Sequence, residues 1–282
     1  MIRVENLSKS FKKKEVLHSV NLRLGANAYG LLGANGAGKT TLIRCMAGLY
    51  EPQQGEIFYY NEPIHKSKNF HQDLGYLPQA FGMFQELTLY EMMEYICSLK
   101  NIAKNKWKGE ITKALTSVNL EDKARDRLKT LSGGMVRRAG IAQAILGDPK
   151  VILFDEPTAG LDPGERARFK NAVIELKKDR MLLISTHIVE DVDACCHSVV
   201  VIDKGHVLFD GSCDELRNMA INKVYQINEA DSTSVVGEKF ILKVSEIEGR
   251  IYHRILTKEK QAYRSEKPSL EDGYMCLVKG FA

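Results

Sequence analysis

Gly33-Ala34-Asn35-Gly36-Ala37-Gly38-Lys39-Thr40 fits the pattern G-x-x-x-x-G-K-[ST] at every fixed position. The flanks fit as well. Tyr29 to Leu32 reads as a short buried strand before the loop, and about Thr40 to Gly48 as a helix after it. Glycines let such a backbone curl so that successive N–H groups point inward. The helix N-terminus adds partial positive charge, and together they form a cradle for phosphate. Lys39 is then placed to reach the terminal phosphates of a nucleotide, and Thr40 to offer its hydroxyl to Mg²⁺. A flexible glycine turn is the plain alternative, and the strand and helix on either side argue against it.

A second stretch points the same way. Val151-Ile152-Leu153-Phe154-Asp155-Glu156 is a continuous apolar run ending in two acids, as expected of a strand covered on both faces. An aspartate at such a strand end is suited to hold Mg²⁺ beside the phosphate loop. Adjacent strand residues point to opposite sides, so Glu156 has a different task. It is placed to orient and polarise a water attacking the γ-phosphate. Taken alone, the two acids would equally suit a solvated strand exit.

The bulk numbers bound the answer. The chain has 282 residues, 44% hydrophobic and 27% charged, with a net charge of +4. That is an ordinary globular composition, long enough for one large domain and an appendage. The densest basic run, Lys12-Lys13-Lys14, reads as a solvated loop, and nucleic acid is not implied. The cysteines at 45, 97, 195, 196, 213 and 276 form no CxxC pair, which leaves free thiols in a reducing cytosol. Met1 to Glu5 starts as an alternating strand rather than a signal peptide, and no apolar window is long enough to span a membrane.

Along the chain, residues 1–24 read as two strands joined by a basic turn. A further strand ends near Leu77, and residues 88–147 are mostly helical. A helix near 164–178 precedes a strand at Met181 to Ile184. Val199 to Asp203 and His206 to Phe209 flank a hairpin turn at Lys204-Gly205. Beyond about Asn222, Phe240 to Val244, Ile251 to Leu256 and Met275 to Val278 read as short strands of a separate unit.

Leu131-Ser132-Gly133-Gly134-Met135 resembles the signature motif of ABC ATPases. With the loop at 33–40 and the strand at 151–156, residues 1–220 resemble an ABC nucleotide-binding domain. Ser132 and the glycines also precede a helix of about 135–146, an N-terminus suited to an oxyanion. Gln79 resembles the Q-loop glutamine, Gly160-Leu161-Asp162 the D-loop, and His187 the switch histidine. Phe11 stands where the family places an aromatic that stacks on adenine, although a core aromatic would look the same. Met135 departs from the glutamine of many members.

The resemblance implies an α/β fold: a P-loop NTPase core with an antiparallel β subdomain and an inserted helical subdomain at about 85–147. A small α+β appendage would follow at 221–282. It implies Lys39, Gln79, Glu156 and His187 as catalytic, and Thr40, Gln79 and Asp155 as holding Mg²⁺. ATP would meet Phe11, Gly33, Asn35, Gly36, Gly38, Lys39, Thr40, Thr41, Ser132, Gly133, Gly134 and Asp162. In the family two such domains sandwich two ATP molecules head to tail, so the partners are a second ATPase subunit, identical or paired, and a membrane permease. The expected place is cytoplasmic, peripheral on the inner face of the membrane. The order of elements resembles the export type with a separate permease, moving a drug, peptide, lipid or glycan. Phe81 to Leu87 is the expected docking groove for that permease, with Thr88 and Glu91 capping the helix that follows. The rival, a soluble ABC ATPase acting on nucleic acid or ribosomes, would show a coiled-coil arm, metal cysteines or a second set of motifs, none of which the sequence contains.

Overall fold

The computed structural model describes residues 1–12, 14–176 and 179–282. In order, the chain forms β1 (Ile2–Phe11), β2 (Lys14–Leu24), β3 (Ala28–Leu32), α1 (Lys39–Met46), β4 (Gln54–Tyr59), β5 (Glu62–Pro63), α2 (Phe70–Asp73) and β6 (Leu74–Leu77). Three helices follow: α3 (Leu89–Leu99), α4 (Lys104–Thr116) and α5 (Gly133–Ile145). Then come β7 (Val151–Asp155), α6 (Pro163–Leu176), β8 (Met181–Thr186), α7 (Val189–Cys195), β9 (Ser198–Asp203), β10 (His206–Ser212) and α8 (Cys213–Asn218). The last elements are β11 (Val224–Asn228), β12 (Lys239–Ile247), β13 (Arg250–Thr257) and α9 (Leu270–Val278).

The apolar runs that carry no alternation become the middle of a six-stranded sheet, in the order β10-β9-β3-β8-β7-β6. Its β9-β3, β3-β8, β8-β7 and β7-β6 pairs are parallel, and β10 closes one edge antiparallel. Successive residues of one strand feed two different cores. Ile152, Phe154, Leu182 and Ile184 pack with the helices, whereas Val151, Leu153, Met181 and Leu183 pack toward α1 and the second sheet. Each such fully buried side chain contributes about 1.5–3 kcal/mol relative to exposure. The second sheet, β2-β1-β4-β5, is antiparallel.

The inserted helices follow from their caps. Thr88 Oγ1 accepts from Glu91 N at 3.2 Å, and the Glu91 carboxylate accepts from Thr88 N at 2.7 Å. This reciprocal box sets the phase of α3, which buries Leu89, Met92, Met93, Ile96 and Cys97. Ser132 caps α5 with a single bond, accepting from Met135 N at 3.2 Å. α5 starts at Gly133, two residues earlier than its expected start.

One expectation needs correction here. Met275 to Val278 is not a strand but the end of α9, whose start is fixed by Ser269 and Asp272 exchanging capping bonds of 3.2 and 2.7 Å. The run is too short for its apolar period to separate helix from strand, and the cap decides. Gly273 lets α9 lie against α8, since a Cβ there would stand 2.1 Å from Leu216 O. The sheet of residues 221–282 (β11-β13-β12) is thus joined by a helix that seats Leu270 in the core shared with Leu216 and Val192. The sequence reading also passed over β4, which pairs with β1. The helix expected near 164–178 is described over Pro163–Leu176, and its last two positions lie outside the described residues, as does Lys13.

All six cysteines are buried. Burial pushes the thiols of Cys45, Cys97 and Cys213 up to about 11, which leaves them unreactive at neutral pH. Among the described residues no helix is long and apolar enough to cross a membrane.

Candidate active site

The carboxyl ends of four neighbouring parallel strands meet at one cleft. β3 delivers the glycine loop, β8 delivers His187, β7 delivers Asp155 and Glu156, and β6 delivers Gln79. Register aligns Asp155 with Ser185 and Leu77 with Phe154, which brings together residues distant in the chain. Ligands of open α/β sheets bind at this edge. A cavity of about 390 Å³ opens there, lined among others by Asn35, Gly36, Gly38, Lys39, Thr40, Thr41, Gln79 and Glu156.

The loop is pre-shaped by its own lysine. Lys39 is 5% exposed, and its Nζ donates to Gly33 O at 2.7 Å and Ala34 O at 3.2 Å. Gly38, at φ +111°, caps α1 in a conformation that L side chains rarely adopt. At Gly33 a Cβ would collide with Ile202 O at 2.4 Å.

The two acids divide their work as strand geometry requires. Asp155 is fully buried, and its Oδ1 accepts from Thr40 Oγ1 at 3.0 Å and Ser185 Oγ at 2.7 Å. Its Oδ2 is buried without a hydrogen-bond partner. Burial raises the Asp155 carboxyl above the usual range, with the Ser185 and Thr40 hydroxyls opposing. An orphaned carboxylate oxygen beside a threonine hydroxyl and an anion cradle fits a hard divalent cation with oxygen ligands. Glu156 adopts φ +48°, and its N–H donates to Ser185 O and Ser185 Oγ at 3.2 and 3.0 Å. Its carboxylate lies 3.2 Å from Lys39 Nζ and 3.1 Å from His187 Nδ1. A side chain held by a cation on one side and an imidazole on the other, at the cleft, is placed to hold and move a proton.

Other expected residues stand elsewhere. Ser132 and Gly133 are exposed at the α5 N-terminus, with Gly134 beside Glu165, and none of them lines the cavity. Asp162 caps α6, accepting from Glu165 N at 2.9 Å. Phe11 is 42% exposed, its ring edge-on to Tyr50 at 5.3 Å with Lys9 Nζ over both rings. Phe81 turns inward, where a Cβ on Gly140 would touch its ring at 2.4 Å, so it is not part of an outward groove. Phe84 instead is 58% exposed and meets Tyr95 edge-on at 5.5 Å. The sequence reading missed Ser185, although polar Ser185-Thr186 closes an apolar run just as Asp155 does. It also missed Lys14 and Val16, which line the cavity, and Arg137, one of two buried arginines on α5.

A phosphate loop at the carboxyl edge of a parallel sheet, with a buried aspartate and a glutamate at the end of β7, one strand removed from β3, defines a P-loop nucleoside-triphosphate hydrolase. Comparison with known proteins narrows the class. The model of the ABC transporter family matches residues 17–159. The Bacillus subtilis ABC transporter ATP-binding protein YxlF is 34% identical over 229 residues, 81% of this chain and 76% of that protein. The linearmycin resistance ATP-binding protein LnrL of the same organism is 32% identical over 219 residues, 77% of this chain and 70% of that one. A solved ATP-binding subunit of an ABC transporter superposes with a TM-score of 0.70 at 27% identity, covering 77% of this chain and 92% of the other. The chain belongs to the ABC transporter family, as its ATP-binding and ATP-hydrolysing subunit.

Proposed function

We propose that the chain powers export through a separate membrane permease by closing on ATP as a pair of subunits. Each ATP would lie between the phosphate loop of one subunit and the Ser132-Gly133-Gly134 helix start of the other. The observation that carries this reading is the exposed α5 N-terminus, whose capped glycines face no part of their own phosphate cavity. Such a terminus is a ready site for an oxyanion, here the γ-phosphate presented by a partner. Phe11 would stack on adenine, and Asp162 would approach the partner at the shared interface.

Within the site, Lys39 and the loop N–H groups would hold the β- and γ-phosphates, with Thr41 beside them. Thr40, Asp155 and Gln79 would hold Mg²⁺, which neutralises charge developing on the phosphate oxygens. Glu156 would orient the attacking water and take its proton, with His187 fixing the carboxylate and facing the γ-phosphate. Hydrolysis then removes the contacts that keep the pair shut, a two-state element biased by one phosphate.

The test uses Glu156→Gln, in which hydrolysis is blocked. ATP without Mg²⁺ should convert monomer to dimer on size-exclusion chromatography, and adding Ser132→Arg should abolish the dimer. A Glu156→Gln protein that binds ATP yet stays monomeric, alone and with its membrane partner, would reject the paired site.

Residues 1–220 would form the cassette and 221–282 an appendage anchored by α9. The export direction is supported by the linearmycin-resistance name of LnrL. Such a subunit would work at the cytoplasmic face of the membrane. Phe84 with Tyr95 is the exposed aromatic pair suited to receive an apolar permease helix. Phe84→Asp should leave basal ATP hydrolysis unchanged and abolish transport in membranes carrying the permease, as read by cargo efflux.

A further inference from the structure

Arg137 is 8% exposed on α5, one turn inside the signature helix. Its guanidinium spends its N–H groups on main-chain carbonyls of two separate segments. Nε donates to Pro157 O at 2.9 Å, and Nη2 donates to Asp155 O at 3.2 Å and to Glu156 O. Nη1 donates to Gln79 O at 2.9 Å and Pro78 O at 3.4 Å. Among the described residues no carboxylate forms an ion pair with it, whereas its neighbour Arg138 pairs with Glu165 at 2.9 Å. A buried cation is costly, and apolar side chains fill such a space more cheaply. What the cation adds here is directional: a planar fork that fixes several oxygens at once.

The oxygens it fixes belong to the segments that carry Gln79 and Glu156. Glu156 needs such support, because φ +48° is strained for a residue with a Cβ and persists only when its surroundings over-determine it. The same helix face holds the Gln79 segment a second time. Gly140, three residues on, leaves room for the Phe81 ring, and the Arg137 guanidinium lies 5.7 Å from that ring's centroid. One helix therefore clamps the segment after β6 and the segment after β7 together.

We infer that Arg137 is a positioning residue for hydrolysis, setting the main chain of Glu156 and Gln79 as one unit rather than contributing to nucleotide binding. This rests on the reading of Glu156 as the group that activates water. Lysine at 137 keeps the charge and loses the fork; glutamine keeps a planar donor and loses the charge. The variants Arg137→Lys and Arg137→Gln are compared with the unaltered chain for kcat in phosphate release, for affinity to a fluorescent ATP analogue without Mg²⁺, and for Tm. The expected result is a fall in kcat of tenfold or more in at least one cooperatively melting variant, with nucleotide affinity changed less than twofold. In single-turnover measurements on Glu156→Gln, adding the same substitution should lower the rate by a clearly smaller factor, since the part of the effect that acts through the Glu156 carboxylate is already lost. A kcat loss of equal factor in both backgrounds would overturn the inference. So would an unchanged kcat with a lowered Tm, a parallel loss of affinity, or failure of both variants to fold. If Glu156→Gln itself hydrolyses ATP at the normal rate, the reading of Glu156 has failed, and that outcome is seen before Arg137 is altered.

Discussion

Replacing Glu156 by glutamine should lower ATP turnover by at least about a hundredfold while nucleotide affinity stays close to that of the unaltered chain. The substitution keeps the shape of a side chain that is 5% exposed. It keeps an acceptor for Lys39, 3.2 Å away, and a polar partner for His187 at 3.1 Å. It removes a carboxylate that, held between Lys39 and His187, is proposed to take the proton from water. General-base catalysis by a positioned side chain supplies about 10²–10⁴-fold, which sets the expected loss. Phosphate release at saturating ATP measures it, with analogue binding as the control. Turnover within tenfold of normal would mean that another group activates the water.

Lys39→Ala should weaken ATP binding by at least about a hundredfold, or about 2.7 kcal/mol. Two losses add. The ammonium proposed to meet the terminal phosphates is gone, and so is the tie from Nζ to Gly33 O and Ala34 O that shapes the loop. The loop must then be ordered at the moment of binding, at the expense of affinity. A third effect falls on stability. Glu156 loses its buried cation, and breaking such a pair by removing one partner costs about 3–5 kcal/mol where no other partner remains. His187 remains beside the carboxylate, so the stability loss should stay below that range. Titration with a fluorescent ATP analogue reads the first effect, and chemical denaturation the second. In the Glu156→Gln background the stability effect of Lys39→Ala should shrink, because no charge is left stranded. Unchanged ATP affinity would remove Lys39 from the phosphate site.

Local chemistry was legible without coordinates where it lies in consecutive residues. The glycine loop, the strand ending in two acids, the Thr88 cap and the Ser132 cap each carry their reason within a few positions. Where a reason lies in a distant contact, the sequence is mute or misleading. Phe81 and Phe84 look alike in the chain, yet Gly140 draws one ring inward and leaves the other in solvent. Met275 to Val278 offers a strand-like apolar run, and the packing of α9 on α8 makes it a helix.

By itself, then, the sequence determined the kind of chemistry to expect and the parts to look for: a glycine loop shaped for phosphate, an aspartate and a glutamate on opposite sides of one strand end, and a capped helix start. Strand order and register belong to the tertiary structure alone. β3, β8, β7 and β6 lie side by side although the chain visits them in another order, and only that arrangement sets Asp155 against Thr40 and Ser185, and Glu156 between Lys39 and His187. Arg137 shows the difference most plainly. Its five carbonyl partners are main-chain oxygens, which every residue has, so no side-chain pattern announces them until the fold brings the two segments within reach of one guanidinium.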